Sequence, residues 1–347
     1  MFNKLWGKLS RDMGIDLGTA NTLVYVKDQG IIINEPSIVA INNRSDQIMT
    51  IGEDAKKMLG KTPGYITISK PLIRGIISDF EVTEKMIKHF INKVHQESFG
   101  FIARPIVVIG IPLDVTEVER KAVEDACKSA GAREVHLIEQ SLAAAIGARL
   151  PVQEASGMMI VESGAGLTEI AVISLGGIVT FSTLPIAGNE LDENIIQYAR
   201  ENFNLLLGEK SAEEIKIKIA TVSSDSEKVE ATIRGRDLMS GLPKEVTVTN
   251  QHIKEAISRS VRQIVEAIRD TIEKTPPELV VDIYERGILL SGGTAMLKGL
   301  DKVIAQEIKI PVHVINDPLT SVVRGTGIIL EDLNNLKELL IPPTVEG

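Results

Sequence analysis

A strand–turn–strand pattern that occurs twice constrains the fold of this chain more than any other feature of its sequence. Residues 13–26 read MGIDLGTANTLVYV, in which two short apolar runs flank a polar turn. The turn places Asp16, Gly18 and Thr22 among small hydrogen-bonding residues. Because glycine has no Cβ, backbone N–H groups at such a hairpin tip are open to an anion. Asp16, at the end of the first strand, is then placed to hold a cation that accompanies the anion.

The second copy, residues 158–173, reads MMIVESGAGLTEIAVI. One constant offset places Glu162 on Asp16, Gly164 on Gly18 and Thr168 on Thr22. This long-period repeat predicts two similar domains, each offering one hairpin tip to a shared cleft. Two such tips can hold a polyphosphate, with a divalent cation at the acidic ends. The alternative is a duplicated structural hairpin with no ligand.

Bulk properties exclude several classes of protein. A chain of 347 residues is long enough for two domains with substantial cores. A net charge of −9 argues against nucleic-acid binding, which requires a basic face. The single cysteine, Cys127, excludes disulfides within the chain and fits a reducing cytosol. No apolar run approaches the length of a membrane span.

The first residues of the chain form a candidate membrane helix. Apolar side chains follow helical spacing, while Lys4, Lys8 and Arg11 occupy the other side. A short basic amphipathic helix with a tryptophan can lie in a membrane interface. The alternative is a terminal helix packed on its own domain. The apolar positions are Phe2, Leu5, Trp6, Leu9 and Met13.

A second candidate interaction surface is the loop around Gly100. Phe99, Phe101 and Ile102 stand where a polar turn is expected, and exposed apolar loops often mark contact surfaces. Burial under a neighbouring helix is the alternative.

The order of the remaining elements predicts an α/β fold. Alternating apolar strands and amphipathic helices run from residue 82 to residue 148, with Thr83 as the expected helix cap. A strand over residues 287–291 leads into Gly292, Gly293 and Thr294 and then into a helix expected over residues 295–307. Backbone at such a double glycine can approach a flat or anionic group closely. A last helix is expected to begin within residues 317–327 and to return to the first domain.

With these residues in view, the chain resembles the actin-like ATPase superfamily and, within it, the MreB family of bacterial cell-shape proteins. The resemblance covers nearly the whole length, and its motifs are highly specific together. They are DLGTANT (16–22), EPSIVA (35–40), EVERKAV (117–123), AAAIGA (143–148), TEIAVISLGGIV (168–179), GRDLMSGLP (235–243) and KTPPEL (274–279).

The resemblance implies an actin-like two-lobed α/β fold with an ATP cleft between the lobes. Each lobe would be a ribonuclease-H-like α/β core with a small insert. The first lobe is expected over residues 1–144 and 315–347, with its insert at about residues 32–65. The second is expected over residues 145–314, with its insert at about residues 181–249.

The resemblance also implies a ligand and the residues that bind it. ATP, or ADP after hydrolysis, would be held together with Mg²⁺. Asp16 would bind the Mg²⁺ ion directly, and Glu162 would bind it through water. Gln140, Asp16 and Thr168 would be the catalytic positions. The nucleotide-binding positions would be Gly18, Thr19, Ala20, Asn21, Gly164, Ala165, Gly166, Glu213, Lys216, Gly292, Gly293 and Thr294.

Three departures from the family pattern indicate an atypical paralogue with slow hydrolysis. Glu162 replaces an aspartate, Leu167 replaces a threonine, and Gln140 stands at the position of the family's water-activating glutamate. At the tip of the second hairpin, Ala165 also replaces a glycine of the family pattern. The neighbouring Glu139 is expected to point elsewhere. A neutral amide can orient water but cannot accept its proton, and general-base assistance contributes about 10²–10⁴-fold. The chain is therefore expected to be at most a slow ATPase.

Further expectations concern the binding partners and the cellular location of the protein. The resemblance implies filaments of this chain, with other actin-like paralogues as further partners, in the cytoplasm at the inner face of the cell membrane. No nucleic acid is expected. The enzyme alternative is a small-molecule kinase of the same superfamily, for which no polar sugar pocket is identifiable. A chaperone of the Hsp70 class would need a large C-terminal substrate domain beyond Gly347.

Overall fold

A computed structural model of the chain describes residues 11–95, 104–223 and 226–342. The strands are β1 Met13–Leu17, β2 Asn21–Val26, β3 Gly30–Pro36, β4 Val39–Asn42, β5 Gln47–Ile51, β6 Ile66–Ser69, β7 Leu72–Ile73, β8 Ile76–Ile77, β9 Ile106–Ile111, β10 Glu134–Glu139, β11 Met158–Ser163, β12 Thr168–Ser174, β13 Gly177–Leu184, β14 Leu205–Leu206, β15 Glu230–Asp237, β16 Pro243–Thr249, β17 Ile288–Ser291 and β18 Val312–Val314.

The α-helices alternate with these strands. They are α1 Glu53–Met58, α2 Phe80–His95, α3 Glu117–Ser129, α4 Gln140–Gly147, α5 Gly188–Phe203, α6 Glu209–Ile219, α7 Asn250–Glu273, α8 Pro277–Arg286, α9 Leu300–Ile308, α10 Ser321–Glu331 and α11 Leu333–Leu336. Gly293–Met296 and Lys337–Leu339 are short 3₁₀ turns.

The chain divides into two compact units. The first comprises Met1–Ala155, Ile173–Ile178 and Leu319–Gly347, and the second comprises Ser156–Val172 and Val179–Pro318. The lobe limits drawn from the sequence stay a prediction. Helix α10 belongs to the first unit.

The first unit is built on a five-stranded mixed sheet in the order β10-β9-β1-β2-β3. β1 pairs antiparallel with β2 and parallel with β9, and β9 pairs parallel with β10. Apolar side chains of β1 and β9, including Ile15 and Ile109, share one buried core with Phe90 of α2. A smaller sheet of β5, β4 and β6 lies in the same unit and shares a small core with Ala55 of α1.

Small residues set the spacing of two helices in the first unit. A Cβ on Gly325 of α10 would lie 1.8 Å from the carbonyl oxygen of Ala143, and one on Gly147 would lie 1.9 Å from that of Ser321. The backbones of α4 and α10 therefore touch, which explains the run of small residues in α4. Because α10 also packs on β1, this contact supports the strand that leads to the first hairpin tip.

The second unit is built on a five-stranded sheet in the order β13-β12-β11-β17-β18. β11 pairs parallel with β17, and β17 pairs parallel with β18. A three-stranded sheet of β14, β15 and β16 lies beside it, followed by the long helix α7. Thr249 caps α7 by accepting a hydrogen bond from the His252 N–H.

Some local expectations from the sequence are wrong. Met13 is a buried residue of β1 and takes no part in an N-terminal helix. Thr83 does not cap α2, because the helix begins at Phe80 and the Asp79 carboxylate accepts the hydrogen bond from Val82 N–H. The expected helix over residues 295–307 is a 3₁₀ turn followed by α9.

The helix α8 is absent from the sequence-based assignment. The proline pair before it indicates the end of α7, yet Pro277 is itself the first residue of α8. Proline suits the first helical position because a backbone N–H at that position has no acceptor within the helix, so its absence in proline costs no hydrogen bond. The same residues therefore end one helix and begin the next.

Candidate functional site

The first hairpin tip lies at the carboxyl end of β1, in the first unit. Residues 18–20 join β1 to β2, and Asp16 is paired with Leu23 just before this turn. The parallel pairing of β1 with β9 places Asp16 beside Gly110. Ligands of open α/β sheets bind at the carboxyl ends of the strands, and Asp16 lies at that edge.

Two hydrogen bonds from Ser37 hold this turn. The Ser37 hydroxyl donates to the Gly18 carbonyl oxygen at 2.6 Å, and the Ser37 N–H donates to the Ala20 carbonyl oxygen at 2.8 Å. The buried Thr22 hydroxyl lies 2.9 Å from Ser37 Oγ. Since the Ser37 hydrogen is committed to Gly18, Thr22 is the donor of that pair. Thr22 therefore supports the turn from behind.

Backbone N–H groups at the first tip are open to a ligand. Across the described ranges, those of Thr19 and Ala20 donate to no protein acceptor. The Thr19 hydroxyl accepts a 2.8 Å hydrogen bond from Gly75 N–H, which fixes the turn on its outer side. Asn21 is exposed, and its amide donates to Asn34 at 3.2 Å. Successive open N–H groups of this kind are suited to an anion.

The Asp16 carboxyl is only partly exposed and has a perturbed pKa. Desolvation raises its pKa from the ordinary value of 3.8 to about 7, and no basic side chain among the described residues offsets this effect. A carboxylate desolvated without a counter-charge is stabilised by a bound cation. Asp16 therefore fits the metal position that the sequence predicts for it.

Gln140 lies at the same edge of the sheet as Asp16, with Gly110 of β9 between them. It is the first residue of α4, directly after β10, and only 8% of it is exposed. A Cβ on Gly110, the β9 residue beside Asp16, would lie 3.2 Å from Gln140 Cγ. Desolvation raises the pKa of the neighbouring Glu139, and the charge of Arg120 acts against this shift. That Glu139 points away from the site stays a prediction.

The second hairpin tip comprises residues 164–167 of the second unit. Behind it, Ser163 Oγ and Thr168 Oγ1 are 2.6 Å apart, and the Thr168 hydroxyl donates to the Ile186 carbonyl oxygen at 2.6 Å. Thr168 is completely buried. Its hydroxyl, committed to two protein partners, holds the turn as Thr22 does in the first hairpin.

The Gly164 carbonyl joins the second tip to two other elements. It accepts hydrogen bonds from Gly188 N–H at 3.2 Å and from the Thr294 hydroxyl at 2.8 Å. The Asn189 N–H donates to the Ala165 carbonyl oxygen at 2.8 Å. The start of α5 and the double-glycine segment are therefore tied to this turn. Within the part of the chain described, the N–H groups of Ala165 and Gly166 donate to no protein acceptor.

The double-glycine segment approaches the acidic residue of the second hairpin. Gly292 has φ +83°, and a Cβ there would lie 2.2 Å from the Ser163 carbonyl oxygen and 2.6 Å from Glu162 Oε1. Only glycine fits this position, both for its backbone conformation and for its contacts. The approach follows from the pairing of Glu162 with Ser291 across β11 and β17. Gly293 begins the 3₁₀ turn that carries Thr294.

Helix α6 brings Lys216 to the same region. Lys216 Nζ donates to the Gly188 carbonyl oxygen at 2.7 Å and to Asp192 Oδ2 at 2.8 Å. Glu213, one turn earlier and half-buried, lies within electrostatic reach of Asp192 and raises its pKa. Desolvation is the main cause of that raised pKa of about 6, and the Lys216 charge opposes it. Lys216 and Glu213, which the sequence predicts for the site, thus lie close to Asp192, which it does not predict.

The acidic residues fit a magnesium ion that is bound chiefly by other ligands. No three His, Cys, Asp or Glu side chains of the described residues cluster as a metal site. Mg²⁺ in nucleotide sites takes one or two carboxylates, with phosphates and waters completing its shell. Asp16 in the first unit and Glu162 in the second are carboxylates of this kind, each behind a turn with open N–H groups.

Sequence reasoning missed two supporting residues. Ser37 lies within the EPSIVA motif, so the motif was visible but its contact with the first turn was not. Asp192 lies four residues after Gly188, in the first turns of α5, and nothing local distinguishes it from the neighbouring acids. Ser37 contacts Gly18, and Asp192 contacts Lys216. Each contact joins two segments that are separated in the sequence, and hydrophobic periodicity does not predict such pairs.

The candidate membrane residues lie outside the described residues, so their surroundings are not described. They are Phe2, Leu5, Trp6 and Leu9 at the N-terminus and Phe99, Phe101 and Ile102 in the loop. Among the helices that are described, none has the length and apolar character that crossing a bilayer requires.

Comparisons with known proteins point to one family. The family model "MreB/Mbl protein" matches residues 10–338. The chain is 46% identical over 327 residues to the cell shape-determining protein Mbl of Bacillus subtilis (strain 168), covering 94% of this chain and 98% of the relative. It is 49% identical over 337 residues to the cell shape-determining protein MreB of Escherichia coli (strain K12), covering 95% and 96%.

Solved structures show the same fold. MreB5 of Spiroplasma citri, in structures bound to ADP and to AMPPNP, matches with a TM-score of 0.90 at 34% identity, over 95% of this chain and 98% of that one. A MamK double helical filament matches in fold, with a TM-score of 0.79 at 21% identity, over 93% and 99%. The two mixed sheets of this chain are those of an actin-like α/β fold, and the chain belongs to the MreB/Mbl family of actin-like cell shape-determining proteins.

Proposed function

We propose that this chain binds ATP and ADP with Mg²⁺ and polymerises into actin-like filaments that govern cell shape at the inner face of the cell membrane. The observation that carries the proposal is the pair of matched turns, each with open backbone N–H groups and an acidic residue behind it. The MreB5 structures bound to ADP and AMPPNP support it, since they share the fold and a third of the sequence. The two units are proposed to act as the two lobes of the actin-like fold.

The phosphates are assigned to the two turns. The N–H groups of Thr19 and Ala20, with Gly18 and Asn21 beside them, form one set of donors. The N–H groups of Ala165 and Gly166 form the matching set in the other unit, next to Gly164, whose own N–H donates within the turn to the Leu167 carbonyl oxygen. Mg²⁺ is assigned to Asp16 directly and to Glu162 through water. Backbone donors of this kind do not depend on side-chain identity, so the substitutions at Ala165 and Leu167 leave phosphate binding in place.

The adenosine is assigned to α6 and to the double-glycine segment. Glu213 and Lys216 supply a carboxylate and an ammonium group, and Gly292 and Gly293 leave room for a flat group beside the backbone. The Thr294 hydroxyl donates to the Gly164 carbonyl oxygen, so this wall and the second phosphate turn are joined.

Hydrolysis is proposed to be slow because the water-positioning residue is an amide. Gln140 can orient a water molecule by hydrogen bonding but cannot take its proton. Leu167, at the tip of the second turn, offers no hydroxyl to assist. Thr168 keeps the turn in place, because its hydroxyl is occupied by Ser163 and Ile186. In this scheme the two turns orient the phosphates, and solvent water accepts the proton of the attacking water molecule.

Nucleotide binding is tested by titrating the purified chain with a fluorescent ADP analogue, with and without Mg²⁺. Saturable binding that strengthens with Mg²⁺ is expected. Phosphate release is then measured beside that of Escherichia coli MreB. Turnover as fast as that of the relative would refute slow hydrolysis while leaving binding intact.

Polymerisation and membrane binding are tested by pelleting the protein with ATP analogues and with anionic lipid vesicles. Self-assembly is supported by membership of a family with actin-like fold, and the membrane by the basic amphipathic pattern of residues 2–9. Protein that stays in the supernatant with nucleotide and without vesicles would argue against assembly of this chain alone. Adding a second actin-like paralogue then tests for mixed filaments.

A further inference from the structure

An ammonium group joins two helices of the second unit, α5 and α6. Lys216, on α6, donates to the carbonyl oxygen of Gly188, at the start of α5, at 2.7 Å. It also donates to Asp192, one turn further along α5, at 2.8 Å. The two side chains of the ion pair are only 17% and 14% exposed. This pair is therefore shielded from water, unlike most surface ion pairs.

The same glycine is bonded to the second phosphate turn. Gly188 N–H donates to the Gly164 carbonyl oxygen, and the next N–H, of Asn189, donates to Ala165. A Cβ placed on Gly188 would lie 3.4 Å from Ala165 Cα and 3.4 Å from Lys216 Nζ. Lys216 thus lies directly behind the turn that is assigned to the phosphates.

The Asp192 carboxylate has one oxygen in use and one without a partner. Oδ2 accepts from Lys216, whereas the buried Oδ1 has no hydrogen-bond partner among the described residues. Charged groups facing Asp192 are Lys216, Glu213 and Glu193. A buried carboxylate with an unsatisfied oxygen costs stability, and such a cost is typical of positions kept for function.

We propose that Asp192 is a positioning residue for nucleotide binding: it holds the Lys216 ammonium against Gly188 and thereby fixes helix α6 to the second phosphate turn. The inference rests on the proposed nucleotide site and deepens it. Asp192 touches no nucleotide in this scheme. It acts through Lys216, which has a third donor hydrogen left for the ligand.

A double-mutant cycle on the full-length chain tests this coupling. The dissociation constant for ADP with Mg²⁺ is measured for wild type, Asp192→Asn, Lys216→Gln and the double variant. Each single substitution is expected to weaken binding about tenfold, and the double variant also by about tenfold, because both remove one contact. Effects that multiply to about a hundredfold, or an unchanged affinity of Asp192→Asn, would overturn the proposal.

The pH dependence supplies a readout that a merely structural role would not move. Burial raises the pKa of Asp192 to about 6, so acid protonates it and releases Lys216. The affinity ratio of wild type to Asp192→Asn is expected to fall from about tenfold at about pH 8 towards one at about pH 5. Titration of the ADP phosphates and of Asp16 affects both proteins and cancels. A ratio that stays constant contradicts the proposal.

The matched control is Asp237→Asn, which breaks another ion pair of the second unit. Lys244 Nζ and Asp237 Oδ2 are also 2.8 Å apart, on β16 and β15. This variant is expected to bind ADP like wild type, and a comparable loss of affinity would overturn the assignment to Asp192. Thermal melts check folding. If Asp192→Asn does not fold, the affinity ratio of wild type to Lys216→Gln is used instead, and it must decrease between about pH 8 and about pH 5. If wild type itself binds no ADP, the proposed function fails instead.

Discussion

The Ser37 hydroxyl donates a 2.6 Å hydrogen bond to the carbonyl oxygen of Gly18 and so holds the first turn from the side of β3. Thr22, behind the same turn, donates to that hydroxyl. The second hairpin has an equivalent chain, in which Thr168 accepts from Ser163 and donates to Ile186. In both units, buried hydroxyls orient a turn whose N–H groups are left open. Rigid turns lower the entropic cost of binding an anion.

Ser37→Ala is expected to destabilise the protein and weaken ADP binding. It leaves the part-buried Gly18 carbonyl and the buried Thr22 hydroxyl without their partner, which costs about 1–3 kcal/mol of unfolding free energy. Urea unfolding and ADP titration measure the two effects. Ser45→Ala, at an exposed turn of the same unit, is the control and is expected to change neither. Equal behaviour of the two variants would remove Ser37 from this role.

Asp16→Asn is expected to stabilise the ligand-free protein above neutral pH and to abolish the effect of Mg²⁺ on ADP binding. The folded-state pKa of Asp16 is raised from 3.8 to about 7 by desolvation. Folding therefore favours the protonated acid, and stability decreases as pH rises from about 4 through about 7. The asparagine removes that cost, which is roughly 1–3 kcal/mol after allowance for partial exposure.

Thermal melts of wild type and Asp16→Asn at a series of pH values measure this difference. The two curves are expected to converge towards about pH 3, below the ordinary pKa of 3.8, where Asp16 is mostly protonated in both states. A variant less stable than wild type at about pH 8 without ligand would show that Asp16 has a stabilising partner of its own.

The double change Gln140→Glu, Leu167→Thr is expected to speed ATP hydrolysis by about tenfold or more. It supplies a general base beside Gly110 and a hydroxyl at the second turn, and general-base assistance contributes about 10²–10⁴-fold. Single-turnover phosphate release is the measurement. ADP affinity serves as the control and stays near the wild-type value. Unchanged turnover in a folded variant would count against both assigned roles.

Leu5→Ser with Trp6→Ser is expected to abolish pelleting with anionic vesicles. The substitutions remove much of the apolar face that an interfacial helix buries. Phe99→Ser with Phe101→Ser is the comparison, and loss in that variant alone would assign membrane binding to the loop. Because Trp6 is the only tryptophan, its emission reports the N-terminal segment directly. A shift to shorter wavelength on adding vesicles is expected.

The strand–turn–strand repeat could be predicted from the sequence because the residue patterns that indicate it lie within short segments of the chain. Alternation of apolar residues marks strands, and Gly18 and Gly164 mark turns, whatever the rest of the chain does. The family motifs lie in these same segments, so family and fold class were predicted and are confirmed. The start of α2 and the helix α8 were missed, since Thr83 and the proline pair fit more than one local structure.

The sequence by itself determined that two matched turns exist, that each has an acid behind it and that Gln140 stands where a base is usual. Only the tertiary structure decided that Ser37 holds the first turn and that Asp192 holds Lys216 behind the second. Local patterns record the preferences of the backbone. Hydrogen bonds between distant segments depend on strand register and helix packing, which arise when the whole unit buries its core.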